Sequence, residues 1–191
     1  MSNGISTHKD VIINTAAASI KYGLQHQCSP PLVLDSYPED LRQHGAAFVT
    51  LKKHDQLRGC IGTLEAHRPL IFDISENAYA AAFRDPRFQP VIEPELSTIH
   101  ISVSILTPPI PIEPCSEQAL LTLLRPGQDG LIIEEGIHRA TFLPSVWEAL
   151  PSPTDFVGAL KQKAGFDQNY WSDNIKLFRY QTICIEPSNQ N

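Results

Sequence analysis

The strongest constraint on the fold is that apolar runs come in adjacent pairs. Ala46 to Leu51 and Leu57 to Gly62 flank a short polar tip, Lys52 to Gln56, and Gly130 to Glu134 and Ile137 to Phe142 flank the turn formers Glu135-Gly136. Each pair reads as a β-hairpin. Strands delivered this way pair antiparallel, because a parallel neighbour needs a crossover of a dozen residues or more. The chain is therefore expected to be α+β, with antiparallel or mixed sheets and packed helices.

The two hairpins also lead into similar elements. After the first, Pro69 opens a helix whose Leu70, Ile74, Ala78 and Ala81 share a face and which ends at Asp85-Pro86. Ile99, Ile101, Val103 and Ile105 then alternate with His100, Ser102 and Ser104 in a half-buried strand over Ser97 to Leu106. After the second, Pro144 opens a short helical piece through Leu150, Thr154 caps a longer helix that stops at Gly165, and Ile175 to Ile185 reads as one final strand. The order hairpin, proline-initiated helix, strand thus occurs twice and suggests a structural duplication. The residues of the two halves barely match, so element order alone carries that reading.

The expected organisation is one domain over residues 1–191 with two unequal subdomains. Residues 1–44 supply an N-terminal helix and a connecting loop, 45–110 the first hairpin-helix-strand unit, and 111–191 the second. Thr7 and Asp10 resemble a capping box for the first helix, which runs to about His26. Pro30-Pro31 and Asp35 to Gln43 read as a loop touching the core through Leu32 and Leu34. Prolines 108, 109 and 111 stop the strand that ends at Leu106, and Ser116 to Leu124 reads as a short helix closed by Pro126-Gly127.

A chain of 191 residues buries roughly 70% of its unfolded surface, enough for a core without help from disulfides or metal. Hydrophobic residues at 42% and charged residues at 19% are those of an ordinary globular protein. The formal charge is -6 and the 15 Lys and Arg are scattered, which argues against a nucleic-acid partner. The N-terminus lacks the apolar core of a signal peptide and no apolar run is long enough to span a bilayer, so a cytoplasmic protein with no membrane partner is expected. Cys28, Cys60, Cys115 and Cys184 are far apart, which fits reduced thiols better than a disulfide framework.

The densest unusual chemistry is Leu57-Arg-Gly-Cys-Ile-Gly-Thr63. Gly59 and Gly62 remove Cβ atoms around the Cys60 sulfur, which lets a ligand or another backbone approach. In a regular strand Arg58, Cys60 and Gly62 share a face, and a guanidinium beside a thiol favours the reactive thiolate. The alternative is a small buried hydrophobe with glycines marking a bulge. Asp85-Pro86-Arg87-Phe88 either returns a carboxylate and a guanidinium to the same cleft, or is a turn whose Arg complements the helix dipole and whose Phe plugs the core. His54, His67, His100 and His138 are candidate bases for Cys60, none at a spacing that makes proximity predictable. No Cys-x-x-Cys or His-x-x-x-His pair points to a metal, and no nucleophile elbow, phosphate loop or dinucleotide fingerprint is present.

Five segments occur in an order similar to the AMMECR domain family (Alport syndrome, midface hypoplasia, elliptocytosis chromosomal region): Leu57-Arg-Gly-Cys-Ile-Gly-Thr63, Asp85-Pro-Arg-Phe88, Asp129-Gly-Leu-Ile-Ile133, Phe142-Leu-Pro144 with Val146-Trp147, and Lys163-Ala-Gly165. The resemblance runs from about Gly45 to Glu186. It implies one α+β unit of two unequal subdomains with the Arg-Gly-Cys-Ile-Gly motif lining a cleft, and partners of two kinds, a Memo-like protein and a radical S-adenosylmethionine enzyme. It fixes neither reaction nor cofactor. Its motif residues carry over as Arg58, Cys60, Thr63, Asp85 and Arg87. Two departures stand out: the hairpin tip lacks the glycine often found before the leucine of the cysteine motif, and Ser145 stands where Gln is common.

Two functions compete on these grounds. In a cysteine-dependent enzyme or component of a radical or redox modification system, Cys60 reacts, Arg58 holds the thiolate, Asp85 assists proton transfer, and Gly59, Gly62, Thr63 and Arg87 contact substrate. In a non-catalytic protein-binding module, the Gly-Cys-Ile-Gly strand is a close-packed groove and Cys60 is passive.

Overall fold

Both hairpins form, and each seeds a four-stranded sheet. The computed structural model describes residues 2–187. Its first elements are α1 (Ser2–Ile5), α2 (Lys9–His26), α3 (Glu39–Arg42), β1 (Ala47–Lys53), β2 (Gln56–Gly62), α4 (Leu70–Phe83) and β3 (Ile99–Leu106). There follow β4 (Ile110–Ile112), α5 (Glu117–Leu123), β5 (Gly130–Glu135), β6 (His138–Phe142), α6 (Pro153–Ala164), β7 (Lys176–Tyr180) and β8 (Thr182–Ile185). Among the described residues no helix is long and apolar enough to cross a membrane.

Two units are distinguished, one made of the residues up to Leu106 together with those from Ile183 onward, the other of Thr107–Thr182. In the first, the strand order is β2-β1-β3-β8, and β1 runs antiparallel to both β2 and β3. Alternation along β1 turns Ala47, Val49 and Leu51 inward, where they meet Leu70, Ile71, Ile74, Ala78 and Ala81 of α4 and Ile12, Ala16 and Ile20 of α2. The hairpin tip narrows to His54 and Asp55, both with left-handed backbones (φ 51 and 60). That is the two-residue turn that suits strand twist, made here without the usual Asn-Gly.

In the second unit the order is β4-β7-β5-β6. Its core gathers Leu120, Leu131, Ile133, Trp147, Phe156, Leu160 and Leu177. Trp147 stacks on Phe156 with ring centroids 3.8 Å apart and donates Nε1–H to the Asp129 carbonyl at 2.7 Å. Gly165 ends α6 at φ 87, a backbone that glycine adopts without strain. In both sheets the first hairpin strand lies between its hairpin partner and the strand that comes after the helix, so the repeated element order is repeated in the strand pairing too.

Several expectations need correction. The run read as one final strand breaks at Gln181, whose N–H and carbonyl both bond Thr107, so that β7 joins the second sheet and β8 the first. Residues 183–187 therefore sit with the first unit and not with the run from 111 onward. The prolines after Leu106 do not exclude a strand: Pro111 sits in β4, at the end of its sheet, where a missing N–H is tolerated. The Thr7–Asp10 box does not form, because the chain is already helical before Lys9 and Thr7 Oγ1 donates instead to the Gly4 carbonyl. Helix α6 is capped by Ser152, with Pro153 in the first turn, two residues before the cap expected at Thr154.

Candidate functional site

β2 is the end strand of its sheet, and an end strand leaves N–H and C=O groups unpaired. At Cys60 these groups are taken by side chains. Asp85 Oδ2 accepts from the Cys60 N–H at 2.9 Å, and Arg87 Nη2 donates to the Cys60 carbonyl at 3.1 Å. The two side chains are themselves joined: Asp85 Oδ1 accepts from Arg87 N (3.1 Å) and Nε (2.9 Å), and Oδ2 from Nη2 (2.7 Å). Pro86 and a bond from Phe88 N–H to the Asp85 carbonyl (3.1 Å) fold the segment into the turn that puts both groups there. The Asp85–Arg87 pair thus stands in for one rung of a missing strand.

The electrostatics come from this arrangement. The Arg87 guanidinium, opposed by burial and aided by the Cys60 N–H, holds the Asp85 carboxyl well below the usual carboxylate range. Asp85 in turn raises the Arg87 pKa, with a smaller contribution from Cys60. A carboxylate held ionised so firmly is a poor proton-transfer group near neutral pH. Asp85 is buried, whereas 54% of the Arg87 side chain is exposed. The Cys60 sulfur lies 3.3 Å from Thr50 Oγ1, its register partner on β1. Cys60 is half-buried, and Cys28, Cys115 and Cys184 are exposed.

Arg58 is placed differently from the expectation. The register jumps between Leu51 and Lys52, which pair with Gly59 and Leu57, so Arg58 is the extra residue of a bulge. Its guanidinium makes a two-pronged pair with Glu95, Nε to Oε1 at 3.1 Å and Nη2 to Oε2 at 2.9 Å. Lys53 Nζ reaches the same carboxylate at 3.0 Å. The Arg58 bonds, opposed by burial and helped by Lys53 and the Ile92 N–H, bring the Glu95 pKa down to about 2. The cation bonded to Cys60 is Arg87, through the Cys60 carbonyl, whereas Arg58 falls in the bulge and is bonded to Glu95.

Both glycines of the motif serve internal packing. A Cβ on Gly59 would collide with the Ala81 carbonyl oxygen of α4, and one on Gly62 with the Phe48 ring. Thr63 is bonded away from the cysteine, its Oγ1 donating to Asp73 Oδ2 at 2.5 Å. Asp73 is fully buried and also accepts from Ala47 N–H (2.9 Å), Asn77 Nδ2 (2.9 Å) and Arg68 Nε (2.8 Å), while Asn77 bonds the Ala47 carbonyl. This network ties β1, α4 and the end of β2 together. Neither Asp73 nor Asn77 was singled out from the sequence, although two polar residues four apart among Leu70, Ile74 and Ala78 are a readable sign of a buried polar cluster.

None of the candidate histidines is bonded to Cys60. His54 occupies the hairpin tip, His67 and His100 are exposed, and His138 bonds the Ala164 carbonyl. Among the described residues no cluster of His, Cys, Asp or Glu could hold a metal ion. In the second unit the motif residues act on the fold: buried Asp129 accepts from the Arg125 backbone and guanidinium, and Gly130 lies under the Tyr180 ring.

The AMMECR1 family model matches residues 13–185. A protein of Methanothermobacter thermautotrophicus is 40% identical over 153 residues, covering 77% of this chain and 78% of the relative. A protein of Thermotoga maritima is 40% identical over 149 residues, 76% of this chain and 80% of the relative. The crystal structure of an uncharacterized protein of Pyrococcus horikoshii superposes with a TM-score of 0.79 at 28% identity, covering 94% of this chain and 91% of that one.

Proposed function

The chain belongs to the AMMECR1 family, and from that premise and the surroundings of Cys60 we propose that it works as a thiol-dependent enzyme or component of a multi-protein modification system. The observation that carries this reading is Arg87: its inner edge is fixed by Asp85 and the Cys60 carbonyl, and more than half of the side chain is left in solvent beside the cysteine. A fixed, exposed guanidinium next to a thiol attracts anionic electrophiles to it.

Each residue then has a role. Cys60 attacks an electrophilic carbon or sulfur of the substrate, a bond to Sγ forms, and the leaving group departs with the bonding electrons while the thiol proton passes to water. Arg87 binds the anionic part of that substrate, and Thr50 hydrogen-bonds the sulfur. Asp85, Arg58, Thr63, Gly59 and Gly62 are positioning residues that hold the strand. Memo-like and radical S-adenosylmethionine partners, implied by the family resemblance, belong to the same proposal.

The second reading, a non-catalytic protein-binding module, draws on the firm ionisation of Asp85 and on the lack of a histidine bonded to the sulfur among the described residues. Alkylation by a charged and a neutral reagent separates the two. Relative to Cys28, Cys60 is expected to favour iodoacetate over iodoacetamide, and Arg87→Ala is expected to remove that preference. Equal preference at Cys60 and Cys28 in the unsubstituted protein would favour the passive module.

A further inference from the structure

A second site lies in the first unit, away from the cysteine: a pocket of about 280 Å³ between the loop carrying Pro30 and Leu32 and the face of α4 that presents Phe72, Ser75 and Glu76, with Arg68 just before the helix. None of these side chains bonds Cys60, Asp85 or Arg87.

Its polar groups are incompletely used. Ser75 is 1% exposed and its hydroxyl has no protein partner, although a helical serine can usually bond back to a carbonyl one turn earlier. Arg68 bonds Asp73 through Nε, and among the described residues its two terminal amino groups have no partner. Glu76 accepts from Ser29 through Oε1, leaving Oε2 without a partner among those residues. Phe72, Leu32 and Pro30 supply the apolar wall.

The charge balance narrows the ligand. Asp73 already compensates Arg68, so with Glu76 the site carries one net negative charge and is ill suited to an inorganic anion. A ligand with an ammonium for Glu76, an acceptor for the Arg68 amino groups and an apolar body for Phe72 pairs both charged side chains and covers the apolar wall. The volume of about 280 Å³ lies just below the roughly 300–1,000 Å³ range of ligand sites, too small for a nucleotide. We propose that this pocket binds a free apolar α-amino acid, its carboxylate on Arg68, its ammonium on Glu76 and its side chain against Phe72 and Leu32.

The test is titration of the full chain with L-leucine, L-phenylalanine and N-acetyl-L-leucine, followed by amide chemical shifts. Saturable binding of leucine or phenylalanine at millimolar concentration is expected, with shifts centred on residues 30–32 and 68–76. Blocking the ammonium in N-acetyl-leucine, or replacing Glu76→Gln, should weaken binding about 10-fold, the equivalent of one charge-assisted hydrogen bond. Leu32→Trp, which fills the pocket from the loop, should abolish it while the unfolding midpoint stays within a few degrees. No saturable binding by either amino acid, equal affinity for N-acetyl-leucine, or indifference to both substitutions would overturn the proposal.

Discussion

Replacing Asp85 with alanine tests whether one carboxylate really substitutes for a strand. The change removes an acceptor for two backbone N–H groups, those of Cys60 and Arg87, and for Arg87 Nε and Nη2. Each backbone bond contributes about 1 kcal/mol net. The guanidinium pair adds less than about 1 kcal/mol, because more than half of Arg87 is in water. The expected loss for Asp85→Ala is therefore about 2–3 kcal/mol, read as a lower urea midpoint with an unchanged slope. Amide exchange at Cys60 should quicken at the same time, since its N–H loses its partner. A loss below about 1 kcal/mol with unchanged exchange at Cys60 would show that the Asp85–Arg87 rung does not hold the strand.

Other substitutions probe the same contacts. Gly59→Ala should lower stability by about 2–3 kcal/mol, and by more than Gly62→Ala, because the first Cβ meets helix backbone and the second a ring that can turn; chemical denaturation of both ranks them. The folded pKa of Glu95, about 2 against an ordinary 4.5, makes its contribution fully present above about pH 4.5 and lost as pH falls towards 2. Glu95→Gln should accordingly flatten the acid limb of the stability curve, and Asp85, also depressed, adds a slope of the same sign at low pH. Asp73→Ala should be among the most destabilising single changes, at about 3–5 kcal/mol, since it leaves Ala47, Thr63, Asn77 and Arg68 without their common acceptor; thermal unfolding measures it.

The hairpins, α4 and β3 were legible because their apolar residues keep periods of two or 3.6 over long enough stretches. The pairing of Cys60 with Asp85 and Arg87 was legible only as one of two readings, since an Asp-Pro turn explains itself locally whether or not its side chains reach another strand. Arg58 was misplaced because a single-residue bulge reverses alternation, and nothing in Leu57-Arg58-Gly59 marks where the extra residue falls. Glu95, its partner, lies 37 positions away, beyond any spacing rule. The break at Gln181 is hidden for a related reason: no glycine or proline punctuates Tyr180-Gln181-Thr182, and the bond that ends β7 comes from Thr107. Asp73 and Asn77 could have been found, because two polar residues on the inward face of a helix need partners wherever they are.

In the proposed function Arg87 keeps Cys60 chemically active. The most direct measurement is the rate of iodoacetamide alkylation at each cysteine of the folded protein at pH 7, resolved by mass spectrometry. Cys60, although half-buried, should react faster than the exposed Cys28, Cys115 and Cys184, and Arg87→Ala should slow Cys60 alone. Slower alkylation of Cys60 than of the three exposed thiols, unchanged by the loss of Arg87, would contradict the account.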